Sequence, residues 1–385
     1  MLVLPNYAVV EEVTDEKKGD FFNIQAAINY VGSLGGGIVF LTAGTYPLYG
    51  TLFFRDNISL IGFDRDVSII DFKLEKKSEG AIFICGDTNP YNTGTISINN
   101  GSDIVTGSGT LWLANVSAGK YIAINMVLYR IKSVDSDTQL TLERIYQGPN
   151  VSGIRYWIAN YYRGIEIRNL TIKNSGVTKD AGIITVYLKD SIISYNFIDG
   201  CSIGVQPNKS DQIIVEQNIV RNCSSHGIYL ETNNHIFVTF NDLSNAEKKG
   251  IEFTDLWYSE ISGNIIFNAM QYGINANGCH FTTISGNFIR YINLYDAILA
   301  DHNEDSVFSG NQCLNAGEIG ICLGNENFRN VFQGNIIQNN GSYGIRLGNE
   351  TNRNNIILGN QFKNNPSGNI SDLGLNTEIA HNMES

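Results

Sequence analysis

Ionisable and aromatic side chains gather on successive segments of the chain between residues 226 and 301. Each segment opens with a small residue followed by an aliphatic one. Alternation along an extended strand places the residues two and four after the small residue on an exposed face. The carboxylates of this group are Glu231, Glu252 and Asp255. Its other members are expected to contact a substrate: His226, Tyr229, Lys249, Tyr272, Asn275, Asn277 and Asp301.

Two of these carboxylates have a spacing that suits glycoside hydrolysis. If the segments stack at ~4.8 Å, an offset of two residues at ~3.3 Å each puts the backbones of Glu231 and Glu252 roughly 8 Å apart. Inverting glycosidases hold their carboxyl groups ~6.5–9.5 Å apart to admit a water. We therefore predict that Glu231, Glu252 and Asp255 supply acid and base. The competing interpretation is an exposed face with scattered acids, since the chain has 38 Asp and Glu residues.

A second chemistry open to the same residues is elimination or epimerisation of a uronic acid. This chemistry needs a base, and the candidates are Lys249, His226 and Tyr272. It also needs a cation to stabilise the enolate-like intermediate, and the candidate is the distant Arg346. Residues 301–305, of sequence DHNED, carry ligand types that Ca²⁺ takes, but a solvated acidic loop reads the same way. No zinc-type spacing occurs. No metal site is predicted, and Ca²⁺ is the one cofactor left open.

An internal repeat of 22 to 25 residues carries these side chains. It is marked by a column of asparagines, and a second Asn follows four residues later in most repeats. The first column is Asn196, Asn218, Asn241, Asn264, Asn287, Asn311, Asn335 and Asn360. The second is Asn222, Asn245, Asn268, Asn315, Asn339 and Asn364, with Tyr291 in place of one Asn. We expect both columns at corners, in left-handed backbone, with their amides hydrogen-bonded along a ladder.

Each repeat holds about three short Ile- and Val-rich segments with alternating polarity, which is typical of strands. Three strands per repeat at near-constant length predict an all-β coil of parallel strands, whose inner face is buried by stacking. Leucine-rich repeats have similar periods, but they need a dense Leu frame and one Asn per repeat. Residues 22–31 show helical periodicity, so a helix is predicted to cap the open end of the coil.

The run IQAAINYVGSLGGGIVFLTAGTYPL, the run NISLIGF and the NxI…N…GI repeats resemble the pectate-lyase-like superfamily of right-handed parallel β-helices. The resemblance covers roughly residues 15–88 and 160–380. It implies a right-handed β-helix whose substrate groove follows the strand beginning at the Gly–Ile step, a polysaccharide or oligosaccharide partner, and a homotrimer of the kind that spikes form. The superfamily includes hydrolases, lyases, epimerases and phage tailspikes. Where alginate epimerases have an acid and a histidine around a proline, this chain has Gln206 and Asn208, which lowers the epimerase interpretation.

Residues 90–160 break the repeat and predict an inserted small β-sandwich or barrel between an N-terminal part, 1–89, and the main β-helix, 161–385. The phrases GSGTLW and VDSDTQLTL resemble small all-β modules of phage tail and particle-surface proteins. A non-catalytic glycan-binding or structural tailspike-like protein is therefore the alternative to an enzyme. The aromatic residues of the insertion could form a sugar-stacking surface, but we favour the interpretation that they form the core of the insertion. They are Trp112, Trp157, Tyr121, Tyr129, Tyr156, Tyr161 and Tyr162.

The composition sets further bounds. The 385 residues are 43% hydrophobic with a net charge of −12, and no basic stripe for nucleic acid is visible. The overall field disfavours a polyanionic substrate, although a local basic groove can still bind one. No stretch predicts membrane insertion. The first residues lack the pattern of a signal peptide, and we expect an extracellular or virion-surface location. The six cysteines lack metal or disulfide spacing and are expected to be buried thiols.

Overall fold

The computed structural model describes residues 6–11, 23–73 and 80–384, and it shows a long coil of parallel strands with three faces per turn. Each strand pairs in parallel with the equivalent strand one turn before and one turn after it. The first face carries the strands of the Gly–Ile step, and the second and third faces follow in chain order. Several strands of the first face continue round the corner into the second. The parallel β-helix with three strands per coil is confirmed.

The strands of the first face are Leu52–Phe53, Ile82–Cys85, Ile183–Val186, Ile203–Asn208, the first part of His226–Thr239, Lys249–Trp257, Tyr272–His280, Ile298–Asp301, Ile321–Leu323, Tyr343–Leu347 and Gly368–Asp372. Those of the second face are Tyr7–Val10, Gly37–Leu41, Ile58–Gly62, Tyr162–Arg163, Glu166–Arg168, Leu188–Ser194, Asp211–Glu216, the second part of His226–Thr239, Glu260–Ser262, Thr283–Ser285, Val307–Ser309, Val331–Gln333, Ile356–Leu358 and Glu378–Ala380. Those of the third face are Gly44–Leu48, Ser68–Phe72, Thr171–Asn174, Phe197–Asp199, Ile219–Arg221, Asp242–Ser244, Ile265–Phe267, Phe288–Ile292, Gln312–Ala316, Ile336–Gln338, Gln361–Lys363 and Met383–Glu384.

The aliphatic columns point inward and form one continuous core along the coil. A small residue precedes the first-face aliphatic because two backbones and a third-face side chain meet there. A Cβ on Gly250 would lie 2.4 Å from Cγ2 of Ile266 and 2.7 Å from the carbonyl oxygen of Gly273. The Gly–Ile step of the repeat is therefore a packing requirement rather than a turn signal.

The two asparagine columns differ in backbone conformation and in burial. Asn264, in the first column, is fully buried; its Oδ1 accepts hydrogen bonds from the backbone N–H and the Nδ2 of Asn241, both at 3.0 Å. Its own Nδ2 donates to the carbonyl of Val238 at 2.8 Å. The predicted ladder exists. The prediction of left-handed backbone is wrong for this column, because the residue before each Asn takes that conformation, such as Phe240 with φ 55°. It holds for the second column, where Asn245 has φ 58°.

The predicted cap is a helix, Ile24–Ser33, whose buried side Ile24, Ala27, Ile28 and Val31 covers the end of the core. Asn23 begins it by accepting a hydrogen bond from the N–H of Ala26 at 3.2 Å, which satisfies one of the free donors of the first turn. No helix within the described ranges is long and apolar enough to cross a membrane.

The insertion forms a seven-stranded antiparallel sheet with a core of its own around Trp112. Its strands are Thr95–Ile98, Ile104–Ser108, Tyr121–Ile124, Val127–Ser136, Gln139–Leu142, Val151–Ile154 and Trp157–Ala159, with a short helix Trp112–Asn115. Of the seven aromatic residues singled out above, Trp112, Tyr129, Tyr156 and Tyr161 are buried and the other three are half-buried. Trp112, Tyr129 and Tyr156 belong to the core of the insertion, whereas Tyr121, Trp157 and Tyr161 lie in the cluster where it meets the coil, and Tyr162 packs on the core of the coil.

A small apolar cluster joins the insertion to the coil, with Tyr161 and Tyr187 in edge-to-face contact at 5.5 Å. Lys120 of the insertion pairs with Asp87 at 3.2 Å. Nδ2 of Asn234 donates to the carbonyl of Met126 at 2.8 Å. The boundaries 1–89, 90–160 and 161–385 as independent domains stay a prediction.

Candidate functional site

The parallel register of the first face sets the relation between the two predicted catalytic glutamates. Tyr229 lies opposite Glu252, and Glu231 lies opposite Thr254. Glu231 and Glu252 are therefore diagonal neighbours on adjacent strands. This is the offset from which the backbone separation of roughly 8 Å follows. Both side chains are partly exposed on the outer surface of the face.

Glu252 is the centre of a hydrogen-bonded cluster. Its Oε2 lies 2.6 Å from Nε2 of His226, and its Oε1 accepts from Nζ of Lys249 and, at 3.0 Å, from Nδ2 of Asn275. Burial by itself opposes the ionisation of Glu252. The bonds from His226 and Lys249 outweigh it and lower the pKa of Glu252 to about 2. We call these four residues the Glu252 cluster. It carries a fixed carboxylate at any working pH.

His226 is held on both sides of its ring. Nδ1 lies 2.8 Å from Oγ of Ser225, and the ring stacks on Tyr229 with centroids 5.4 Å apart. Because an ionised Glu252 accepts from Nε2, a neutral ring has its lone pair on Nδ1, toward the Ser225 hydroxyl. Sequence reasoning missed Ser225, because it precedes the strand and alternation says nothing about it. Its position next to a histidine was the only available signal.

Tyr272 continues the exposed row beyond the cluster. Its ring stacks on Tyr295 at 5.2 Å, and Nζ of Lys249 lies 5.9 Å from its centroid. Burial, with the nearby charge of Asp296, raises the pKa of Tyr272 to about 12. Asp296 itself is buried, which raises its pKa to about 7 while its Oδ1 accepts from the N–H of Ile319. Asp296 directly precedes Ala297, the small residue of its repeat, and alternation does not predict the burial of this position.

Glu231 differs from Glu252 in its surroundings. Within the described residues it has no ion-pair partner. Its neighbour on the preceding strand is Asn208, whose Oδ1 is buried and accepts no hydrogen bond from the described residues. Glu231 is also close enough to Tyr229 to help raise the pKa of that phenol, after the larger effect of burial.

Asp255 follows Thr254, the residue that lies opposite Glu231. It stands at the turn from the first to the second face, in left-handed backbone with φ 54°, and its side chain is exposed. Two left-handed residues occupy this turn in each of seven successive coils, and we call the first residue of each pair the corner column: Tyr187, Lys209, Thr232, Asp255, Gly278, His302 and Glu326. Asp255 lines a depression of about 450 Å³ together with Asn277, His280, His302, Glu304 and Glu326. That Asp255 shares one site with Glu231 and Glu252 stays a prediction.

The remaining predicted substrate contacts spread along the first face. Asn277 lies opposite Thr254 on one side and Asp301 on the other, so both are outside the Glu252 cluster. The acidic run 301–305 does not converge: Glu304 and Asp305 pair with Arg329, and Asn303 is buried in an amide ladder. Within the described ranges no three His, Cys, Asp or Glu side chains are placed to hold a metal ion. The described residues therefore offer no ligand set for the Ca²⁺ ion that the sequence left as a possible cofactor.

Comparisons with known proteins agree on the architecture. A family model described as "Right handed beta helix region" matches residues 257–382, and one described as "Periplasmic copper-binding protein (NosD)" matches residues 104–291. The chain is similar to the A-module of mannuronan C-5 epimerase AlgE4 from Azotobacter vinelandii, with 14% identity, a TM-score of 0.61, and coverage of 93% of this chain and 94% of that chain.

Two further solved structures are similar at lower identity. The tailspike gp61 of Pseudomonas phage phi297 has 13% identity and a TM-score of 0.59, covering 93% of this chain and 68% of that one. The catalytic domain of a GH87 alpha-1,3-glucanase has 9% identity and a TM-score of 0.56, covering 99% and 70%. No curated protein matches the chain. These likenesses show the fold, and together with the family model for a right-handed β-helix region they confirm a right-handed parallel β-helix.

The copper named in one family description has no evident ligands in the part of the chain that the structure describes, where no suitable trio of side chains exists. Cys201, Cys223, Cys279 and Cys313 are buried, and burial raises the pKa of each thiol, which opposes the thiolate form that binds metal. The residues present do not fit a copper site, and no chemical step is assigned to one.

Proposed function

We propose that this right-handed β-helix protein binds a polysaccharide along its first face and cleaves it by hydrolysis. The observation that carries the proposal is the pair of diagonal glutamates in contrasting surroundings. Glu252 is locked as a carboxylate by His226 and Lys249, whereas Glu231 has no ion-pair partner in the described structure. Two carboxyl groups with different environments are what acid–base cleavage of a glycosidic bond requires.

The roles follow from these environments. Glu231 gives its proton to the glycosidic oxygen as the bond from that oxygen to the anomeric carbon breaks. A water attacks the anomeric carbon from the opposite side and loses a proton to Glu252, so that one water is consumed per bond cleaved. The backbone separation of roughly 8 Å agrees with the ~6.5–9.5 Å between carboxyl groups that leaves room for this water. The expected product has inverted anomeric configuration.

The contacts around the pair support this assignment. The neighbouring Asn208, opposite Glu231 on the preceding strand, has a buried Oδ1 that accepts no hydrogen bond from the described residues, so a polar acceptor stands beside Glu231. Asn275 and Lys249 hold Oε1 of Glu252, which fixes the direction of the carboxylate. The stacked rings of His226 and Tyr229 offer an aromatic surface next to the cleavage point, of the kind that packs against the apolar side of a sugar.

A uronate lyase or epimerase is the second candidate. His226 and Tyr229 lie together beside a lysine, and the epimerase A-module shares the fold. Against it, the only nearby cation, Lys249, is already paired with Glu252, so no free charge in the described cluster is available to stabilise an enolate. The remaining alternative is a protein that binds glycans without cleaving them. The tailspike with a similar fold motivates this alternative.

We extend the proposal to location and assembly. The proposed location is outside the cytoplasm, in the periplasm, in the medium or on a virion, which agrees with the words "periplasmic" and "tailspike" in the compared proteins. A homotrimer stays a prediction, which light scattering on the purified protein measures directly.

The test uses a panel of neutral and acidic polysaccharides and two product assays. New reducing ends report hydrolysis, and the ultraviolet absorbance of unsaturated uronate products reports elimination. The variants are Glu231→Gln and Glu252→Gln, with Glu216→Gln on the second face as the matched control. We expect reducing ends without absorbance, a loss of at least about a hundredfold in both site variants, and no loss in the control.

Other outcomes separate the alternatives. Absorbance with the wild type moves the assignment to a lyase. Retained cleavage by both site variants removes these glutamates from the chemistry. Binding with neither product favours the non-catalytic protein.

A further inference from the structure

A cleft of about 280 Å³ lies at the junction between the insertion and the β-helix. The insertion contributes Arg155, Tyr156 and Trp157, and the corner column contributes Tyr187, Lys209 and Thr232. The cleft is held in place from both sides, because the apolar cluster containing Tyr161 and Tyr187 fixes the insertion on the coil. Its walls therefore exist before a ligand arrives.

The cleft is basic on a strongly acidic protein. Its two charged lining residues are Arg155 and Lys209, and no acid lines it. Both cations are exposed, and neither has a carboxylate partner in the described ranges. The nearest acid that influences Tyr187 is Asp87, whose charge is already met by Lys120. Two cations without a carboxylate partner thus face one cleft on a chain of net charge −12.

The same cleft can hold a sugar ring and its polar groups. Trp157 is half-buried at the wall and presents an aromatic surface. The phenol of Tyr187 is desolvated, which raises its pKa to about 12, so it stays a hydrogen-bond donor at neutral pH. A planar guanidinium, an ammonium and a phenol together match the oxygens of a carboxylate or sulfate group.

The position of the cleft ties it to the proposed cleavage site. Thr232 follows Glu231 directly in the chain, and Lys209 donates its backbone N–H to the carbonyl of Glu231 at 2.9 Å. The corner column then runs from Lys209 at the basic end to Asp255 and Glu326 at the acidic end. The charge along this edge is therefore polarised.

We propose that the junction cleft is a subsite for an anionic sugar residue, carrying a carboxylate or sulfate, which places the glycan chain against Glu231. This inference rests on the proposed function for the identity of the chain as a glycan, and it adds the substrate class. The site is built jointly by the insertion and the β-helix, so it gives the insertion a role in substrate selection.

The experiment measures binding by titration calorimetry to four oligosaccharide probes: oligogalacturonate, its methyl-esterified neutral form, a sulfated galactan that contains no uronic acid, and the matching neutral galactan. The carboxylated and sulfated arms distinguish the two anion sources. Arg155→Ala and Lys209→Ala are compared with Lys132→Ala and Lys363→Ala, which remove exposed lysines elsewhere on the insertion and on the coil. Lys209→Arg keeps the charge. Thermal unfolding confirms that each variant is folded.

We expect at least one anionic probe to bind, with each of Arg155→Ala and Lys209→Ala weakening it about tenfold. The control variants and Lys209→Arg should bind like the wild type, and added salt should weaken binding by screening the charges. Equal affinity for charged and neutral probes, or unchanged binding by both site variants, overturns the subsite. A misfolded variant leaves the salt series and Lys209→Arg to decide.

The outcomes separate this subsite from the cleavage proposal. Binding and cleavage of neutral glycans only would overturn the subsite and leave the hydrolase standing. Anion-specific binding without reducing ends would do the reverse. If none of the probes binds, the subsite is overturned, and the polysaccharide panel still tests the hydrolase.

Discussion

Replacing Glu252 by glutamine keeps the size of the side chain but removes the charge between His226 and Lys249. Glu252 has a folded-state pKa of about 2 against an ordinary value of 4.5. That difference corresponds to roughly 3 kcal/mol at 1.36 kcal/mol per pKa unit. The side chains of Glu252, His226 and Lys249 keep 14%, 11% and 16% exposure. We therefore reduce the expected loss to about 2 kcal/mol for solvent screening.

The pH dependence gives this prediction its sign. Because the folded pKa is depressed, the stabilisation is fully present above pH 4.5 and is lost as the pH falls through about 2. The free-energy difference between the wild type and Glu252→Gln should be about 2 kcal/mol at pH 7 and shrink steadily between pH 4.5 and 2.

Hydrogen exchange of the amides in strands 226–239, 249–257 and 272–280 measures this locally, which suits a repeat protein that opens in sections. Glu231→Gln is the control and should show no such trend. Equal protection of wild type and Glu252→Gln at pH 7, or a difference that persists unchanged to pH 2, would refute the account of the cluster.

Two further predictions concern the scaffold and its buried acid. Asn264→Leu leaves the N–H of Asn241 and the carbonyl of Val238 buried without partners. Asn264→Leu should therefore lower the free energy of unfolding in urea by about 3–5 kcal/mol. Asn245→Gly should lower it by less than about 1 kcal/mol, because glycine readily adopts the left-handed corner. Equal losses for the two variants would contradict the ladder. Asp296 has a raised pKa, so its contribution is present below pH 3.8 and is lost as the pH rises through about 7. Asp296→Asn should therefore be more stable than the wild type at pH 8, by about 2 kcal/mol in thermal or urea unfolding, and a less stable variant would show that Asp296 is not desolvated as described.

The repeat made most of the fold predictable. A near-constant interval fixes which residues stack, so the inward columns, the amide ladder and the diagonal of Glu231 and Glu252 all follow from counting. The cap helix Ile24–Ser33 follows from its own periodicity and the need to cover an open end. The repeat interval did not predict which residue takes the left-handed conformation at the corner. The left-handed residue directly precedes each Asn of the first column, because the Asn side chain must point inward to join the ladder.

The site was less predictable for a related reason. Alternation predicts which side chains point to solvent, but it does not predict which of them contact one another. It could not predict that the left-handed turn at Asp255 sets this residue along a depression with Asn277 and His280. Ser225, Asp296 and Arg155 were invisible because their roles depend on a turn, on burial and on the docking of the insertion.

The most direct test of the central claim is a crystal structure of Glu231→Gln soaked with an oligosaccharide that the wild type cleaves. We predict sugar density along the first face, with a glycosidic oxygen within hydrogen-bond distance of residue 231 and a water held by Glu252 on the other side of the anomeric carbon. Density confined to another face, or between chains and away from Glu231 and Glu252, would contradict the account.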